Sequence, residues 1–145
     1  MSEIQKGIFL KNGLLLLTLF TVACSSKVST KELKEESQKV SSWAATEQMI
    51  GNAWIRDAVP TTYAKQTLIK AESELQKSAE QIEKMQPETA AQEQYKSKIL
   101  EHSKVGKIIS EKMSRAVGEK KKSAVKVQLA KLESDRAELQ KLSQP

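Results

Sequence analysis

Residues 61–86 read TTYAKQTLIKAESELQKSAEQIEKMQ, and this stretch decides the fold. Ala64, Leu68, Ala71, Leu75, Ser78, Ile82 and Met85 recur in alternating steps of four and three residues. Such spacing keeps returning to one side of an α-helix, whereas a half-buried strand needs alternation at every second residue. A stripe this narrow is the seam of a helical bundle or coiled coil. Its alanines and serine favour close helix packing. On the charged side, Glu80 and Lys84 lie one turn apart in the stabilising order.

The same reading extends outward. Upstream, Pro60 lacks an N–H and disfavours helix at Val59, so residues 57–61 form a turn and Thr61 or Thr62 is expected to cap the next helix. A first helix is expected from near Thr30, where Ser29 and Glu32 have the spacing of a capping box, to about Ala58. Its face uses Val40, Trp43, Glu47, Ile50, Trp54 and Ala58. Gly51 interrupts it at a cost of about 1 kcal/mol relative to alanine, and its small size allows a neighbour to come close. Downstream, Pro87 followed by Glu88 reads as the first position of a third helix. That helix would turn Ala91, Tyr95, Ile99, His102, Val105, Ile109, Met113 and Ala116 to the core.

Gly118 to Lys122 interrupts this pattern, and Val125, Leu129, Leu132, Leu139 and Leu142 resume it with Arg136 in the seam. The new stripe is out of phase: the step from Met113 to Val125 rotates by about 1200°, a third of a turn off. One glycine and no proline mark the place, which favours a continuous or kinked helix over a break. Period-two alternation and internal repeats are missing. The fold expected is all-α: an antiparallel bundle of three long helices, the third kinked or broken near Gly118 to give four. Helices of roughly 28 residues would be about 42 Å long and make the bundle a rod.

The first residues carry a different signal. Lys6 and Lys11 precede an apolar run from Leu14 to Ala23, and Cys24 follows at once. The run is about half the roughly 20 residues a spanning helix needs, and a short apolar segment between lysines and a small residue is the secretory pattern. The segment Thr21-Val22-Ala23-Cys24 resembles the lipobox of bacterial lipoproteins, a resemblance that covers residues 1–26 only. It implies a cleaved signal peptide (1–23), a diacylglycerol-modified, usually acylated Cys24, a polar tether (24–30) and a helical domain (31–142). Two or three acyl chains, at about 0.8 kcal/mol per buried CH₂, hold a protein firmly at a bilayer. Ser25 in place of an aspartate implies the outer membrane, with the domain facing the periplasm.

Composition narrows the function classes. The chain has 145 residues and a net charge of +6. Its mild, interspersed positive excess does not point to nucleic acid. Cys24 is the only cysteine, so its lipidation would leave no thiol for a disulfide, a metal or a nucleophile. His102 is the only histidine and reads as a partly buried core residue hydrogen-bonded to a neighbour. No Gly-x-Ser-x-Gly, no phosphate-cradling glycine loop and no carboxylate pair set in a cleft is legible. The expectation is a protein without catalytic residues, metal or cofactor apart from the covalent lipid on Cys24.

Two stretches are candidate contact sites. Trp43, Trp54, Arg56 and Tyr63 cluster in sequence. They read either as core packed against the second helix or as a patch for a partner, since tryptophan, tyrosine and arginine dominate interface energetics. Lys120, Lys121 and Lys122 form a solvated face or a contact with an anionic envelope surface. In outline, an anchored Ala/Lys-rich helical rod looks like the murein lipoproteins. This chain ends Lys141-Leu142-Ser143-Gln144-Pro145 rather than in the lysine those proteins join to peptidoglycan, so only the outline carries over. The function expected is a lipid-anchored envelope module for structure or protein interaction, with an envelope protein or a second copy as partner and no nucleic acid. The second reading is a bundle that holds an apolar or anionic small ligand as an accessory to transport.

Overall fold

The seam of residues 61–86 turns inward as its spacing requires. Ala64, Leu68, Ala71, Leu75 and Ile82 are fully buried, Ser78 nearly so, and Met85 half-buried. The computed structural model describes residues 27–143; the lipobox, Cys24, Gln144 and Pro145 lie outside the described residues. Four helices follow one another: α1 (Thr30–Ile55), α2 (Thr61–Lys84), α3 (Ala90–Gly118) and α4 (Lys122–Ser143). All regular structure among the described residues is helical. Short connections make the helices run up, down, up and down. Each packs on its neighbours in the ring, α1 also meets α3 across it, and the backbones of α2 and α4 stay apart on the other diagonal.

Both ends of each helix follow from local chemistry. Ser29 caps α1 in the expected box, its hydroxyl accepting from the Glu32 N–H while the Glu32 carboxylate accepts from the Ser29 N–H. The expected cap of α2 is corrected. Pro60, with φ −63° and ψ 146°, already supplies the extended conformation a cap needs, so Thr61 becomes the first helical residue. Its hydroxyl instead accepts from the Trp54 indole N–H at 3.1 Å. The start of α3 is corrected too. Thr89, not Pro87, sets it, in a second capping box with Gln92. The Gln92 side-chain oxygen accepts from the Glu88 and Thr89 N–H groups at 2.8 and 3.3 Å, which no proline at the first position could arrange.

The third helix breaks rather than kinks. After Gly118 the chain turns left-handed at Lys120 (φ 55°), and the Lys120 and Lys121 N–H groups donate back to Val117 and Ala116 carbonyls at 3.1 and 2.8 Å. This crossed pair of bonds is a Schellman motif. α1 ends in the same way, three residues before Ala58. Asp57 takes φ 57°, and the Asp57 and Ala58 N–H groups reach Trp54 and Ala53 carbonyls at 3.0 and 2.9 Å. The break resolves the phase shift read in the sequence: α4 starts afresh and turns Val125, Leu129, Leu132 and Leu139 inward.

The buried apolar residues form two clusters. One holds Ile50, Trp54, Leu68, Met113 and Val125 near the α1–α2 and α3–α4 turns. The other holds Val28, Leu33, Val40, Ile82, Ile99 and Leu139 at the opposite end. Among the described residues, the members of these clusters and the residues packed on them run from Val28 to Leu142. Val28, at the close of the polar segment before α1, is 6% exposed, and its N–H donates to the Gln86 carbonyl at 3.0 Å. The chain therefore joins the bundle at the α2–α3 end, and the α1–α2 and α3–α4 turns form the far tip.

Candidate functional site

Between the two apolar clusters lies a layer of polar side chains. Glu47 comes from the α1 stripe, at helical spacing from Val40, Ile50 and Trp54, and is fully buried. One carboxyl oxygen accepts from the Ser110 hydroxyl of α3; the other has no hydrogen-bond partner. Gly106, one turn before Ser110, leaves room for this arrangement: a Cβ there would stand 3.0 Å from Leu75 Cδ1 and 3.9 Å from Glu47 Oε2. Ser103 is fully buried and donates to the Leu75 carbonyl at 2.8 Å. Small residues at 103, 106 and 110 thus let α3 come close to α1 and α2.

His102 completes the layer. Its Nδ1 lies 2.7 Å from Asp135 Oδ1 on α4, and the two side chains are 7% and 12% exposed. The hydrogen bond to Asp135 raises the histidine pKa above its usual value against the opposing effect of burial, and the negative charges of Asp135, Glu101 and Glu138 act with it. Burial raises Glu47 to about 8, against the lowering effect of the Ser110 bond and with the Asp135 charge adding to the rise. At neutral pH Glu47 is therefore held as the neutral acid. Among the described residues no group of three or more histidine, cysteine, aspartate and glutamate side chains could hold a metal ion.

The far tip is the second arrangement. A cleft of about 540 Å³ is lined by Trp54, Asp57, Val59, Pro60, Lys120 and Lys122 among others. Lys122 bridges it, with Nζ 2.7 and 2.6 Å from the two carboxyl oxygens of Asp57, and so joins the two Schellman turns. Lys121 pairs with Glu119 at 2.6 Å, whereas Lys120 makes no ion pair among the described residues.

These placements separate the residues that cluster in sequence. Trp54 is 4% exposed inside the tip-side cluster, so it serves the core and lends the cleft only its edge. Trp43 is half-buried against the other cluster. Arg56 is exposed at the end of α1, and Tyr63 is 55% exposed on the first turn of α2. The four therefore do not form one aromatic patch. Lys120, Lys121 and Lys122 do sit together, at the tip opposite the end where residues 1–26 join. α3 has 29 residues and is about 43 Å long. No helix among the described residues is long and apolar enough to cross a membrane.

Sequence reasoning reached Glu47 and His102 as positions on apolar stripes but not their partners. Ser110 and Asp135 lie 63 and 33 residues away along the chain, beyond any local pattern. No family model matches the chain, and no curated protein or solved structure is similar enough to be a match.

Proposed function

We propose that this chain is a lipid-anchored envelope protein, non-catalytic, whose helical rod holds a contact surface away from its own membrane. The carrying observation is the juxtaposition of Cys24 with the fold. Only Ser25 and Ser26 separate it from Lys27, and the described chain enters the bundle at the end opposite the tip lysines. A protein held at Cys24 would present the α1–α2 and α3–α4 turns outward, on the order of 40 Å from the anchor end. The tip lysines would then meet a partner or surface other than the lipid around the anchor. The polar layer favours a structural role over a catalytic one. Glu47, Ser103 and Ser110 have no exposed surface, so a substrate would have to part the helices to reach them.

Fractionation of wild-type and Cys24→Ser cells, combined with labelled-palmitate incorporation, tests this reading. Wild type should label and sediment with membranes; the variant should neither label nor sediment. A Cys24→Ser protein that stays in the membrane fraction would end the proposal.

A further inference from the structure

The charges of this bundle are sorted along its length. Cutting each helix at its midpoint gives a distal half (residues 43–72 and 105–131) and an anchor-side half (27–42, 73–104 and 132–143). The distal half holds eleven lysines and arginines against five acids, one of which is the buried Glu47. The anchor-side half holds eleven against twelve. Pairing sharpens the contrast. In the anchor-side half Lys27, Lys31, Lys39, Lys77 and Lys104 each meet a glutamate, and Lys96 donates to the Glu83 and Met85 carbonyls. In the distal half only Arg115, Lys121 and Lys122 are paired, which leaves eight cations without an ion-pair partner among the described residues.

We infer that the distal half is a binding surface for a flexible polyanion, a polymer with closely spaced phosphate or carboxylate groups. The unpaired cations come from several sides: Lys65 and Lys70 from α2, Lys107 and Lys112 from α3, Lys126 and Lys131 from α4. A flat bilayer touches one side of a rod at a time, whereas a flexible chain can follow all of them. They are predominantly lysines, exposed or half-buried, and spread over three helices, which suits repeated charges rather than one shaped anion. Binding of this kind gains from release of counterions on both molecules and weakens steeply with salt.

This names the chemistry of the partner in the reading above and rests on that reading for the compartment alone. The two fail separately, since polymer binding is measured without the anchor. Residues 25–145, first confirmed by circular dichroism and a cooperative melt to be folded, are titrated with inorganic polyphosphate and with poly-glutamate at low and moderate salt. The distal variant carries Lys107→Gln, Lys112→Gln, Lys126→Gln and Lys131→Gln. The control carries Lys34→Gln, Lys84→Gln, Lys98→Gln and Lys141→Gln, with the same change in charge. Glutamine matches lysine in helix propensity, and circular dichroism checks that both variants stay folded. The distal variant should bind about 10-fold or more weaker, with the log–log salt slope shallower by about 3, while the control loses less than about 3-fold. Equal losses in both variants, or no binding of either polymer at low salt, would overturn the inference. So would binding to vesicles of equal phosphatidylglycerol and phosphatidylcholine without polymer binding, which would assign the surface to a membrane.

Discussion

The Ser110 hydroxyl donates to one oxygen of the buried Glu47 carboxyl, and the other oxygen meets no partner at all. A buried polar group left unpaired costs about 1–3 kcal/mol, and an unpaired carboxylate costs more, so the site keeps its proton. The folded-state value of about 8 stands above the usual 4.5, and the consequence has a definite sign. Between those values the folded protein holds a proton that the unfolded chain has released. Stability is therefore fully present below about pH 4.5 and falls as pH rises towards 8, at up to about 1.4 kcal/mol per unit. Melting temperature should fall from pH 5 to pH 8. Glu47→Gln should flatten that fall and melt above wild type at pH 8. Melts followed by circular dichroism decide it, and a wild-type profile flat from pH 5 to pH 8 would refute the protonated acid.

His102 adds a second fall of the same sign, in a higher window. Its pKa is raised by the Asp135 hydrogen bond, so the stabilisation is complete below the usual 6.5 and is lost as pH climbs through the raised value. His102→Gln should cost about 2 kcal/mol at pH 6, because Asp135, 12% exposed, loses its charged partner. The variant should keep the Glu47 slope below pH 6.5 and show a shallower fall above it. Melts of both variants across pH 5–9 separate the two groups.

Two glycines should respond oppositely to a methyl group. At Gly51 a Cβ would stand 2.4 Å from Met113 Cε and 3.0 Å from Leu129 Cδ2, both in the tip-side core. Overpacking of that kind costs about 1–3 kcal/mol, which outweighs the helix preference of alanine, so Gly51→Ala should destabilise by about 1 kcal/mol. At Gly118 the nearest atom is Lys65 Nζ at 3.5 Å, an ordinary contact with a flexible side chain. Gly118→Ala should stabilise by about 0.5 kcal/mol. Urea midpoints for both variants check the pair, and a stabilised Gly51→Ala would show that α1 has room to move off Met113.

The contrast between these glycines shows what was legible in the sequence. The α2 seam was legible because seven small and apolar residues sit at one spacing and nothing else competes with that reading. The Ser29–Glu32 box was legible because both partners are local. Thr89 and Gln92 have the same local signature, and the preference of proline for the first helical position masked it. The approach of α3 was hidden, since Ser103, Gly106 and Ser110 read as gaps in an apolar pattern although they are its closest contacts. Glu47 announced its place on the stripe, but its protonation depends on a serine 63 residues away. The interruption near Gly118 and the phase shift beyond it were legible, but a break could not be told from a kink, because the left-handed position is taken by Lys120, two residues later, where glycine is the usual choice.

That substitution of lysine for glycine is itself testable. Left-handed backbone costs a residue with a Cβ about 1–2 kcal/mol, and Lys120 (φ 55°) bears this cost in the α3–α4 turn. Its side chain makes no ion pair among the described residues, so no pairing offsets the strain. Lys120→Gly should therefore raise stability by about 1 kcal/mol. Asp57 has the same backbone (φ 57°) but also holds Lys122 through both carboxyl oxygens. At 80% and 42% exposure that pair is worth about 0–1 kcal/mol, which cancels most of the gain from glycine. Asp57→Gly should consequently change stability by less than about 0.5 kcal/mol. In the Lys122→Gln background, where the pair is already gone, it should stabilise by about 1 kcal/mol. A double-mutant cycle on these two residues, read by urea unfolding, measures the difference. Equal effects of Asp57→Gly in both backgrounds would show that the bridge across the tip contributes nothing.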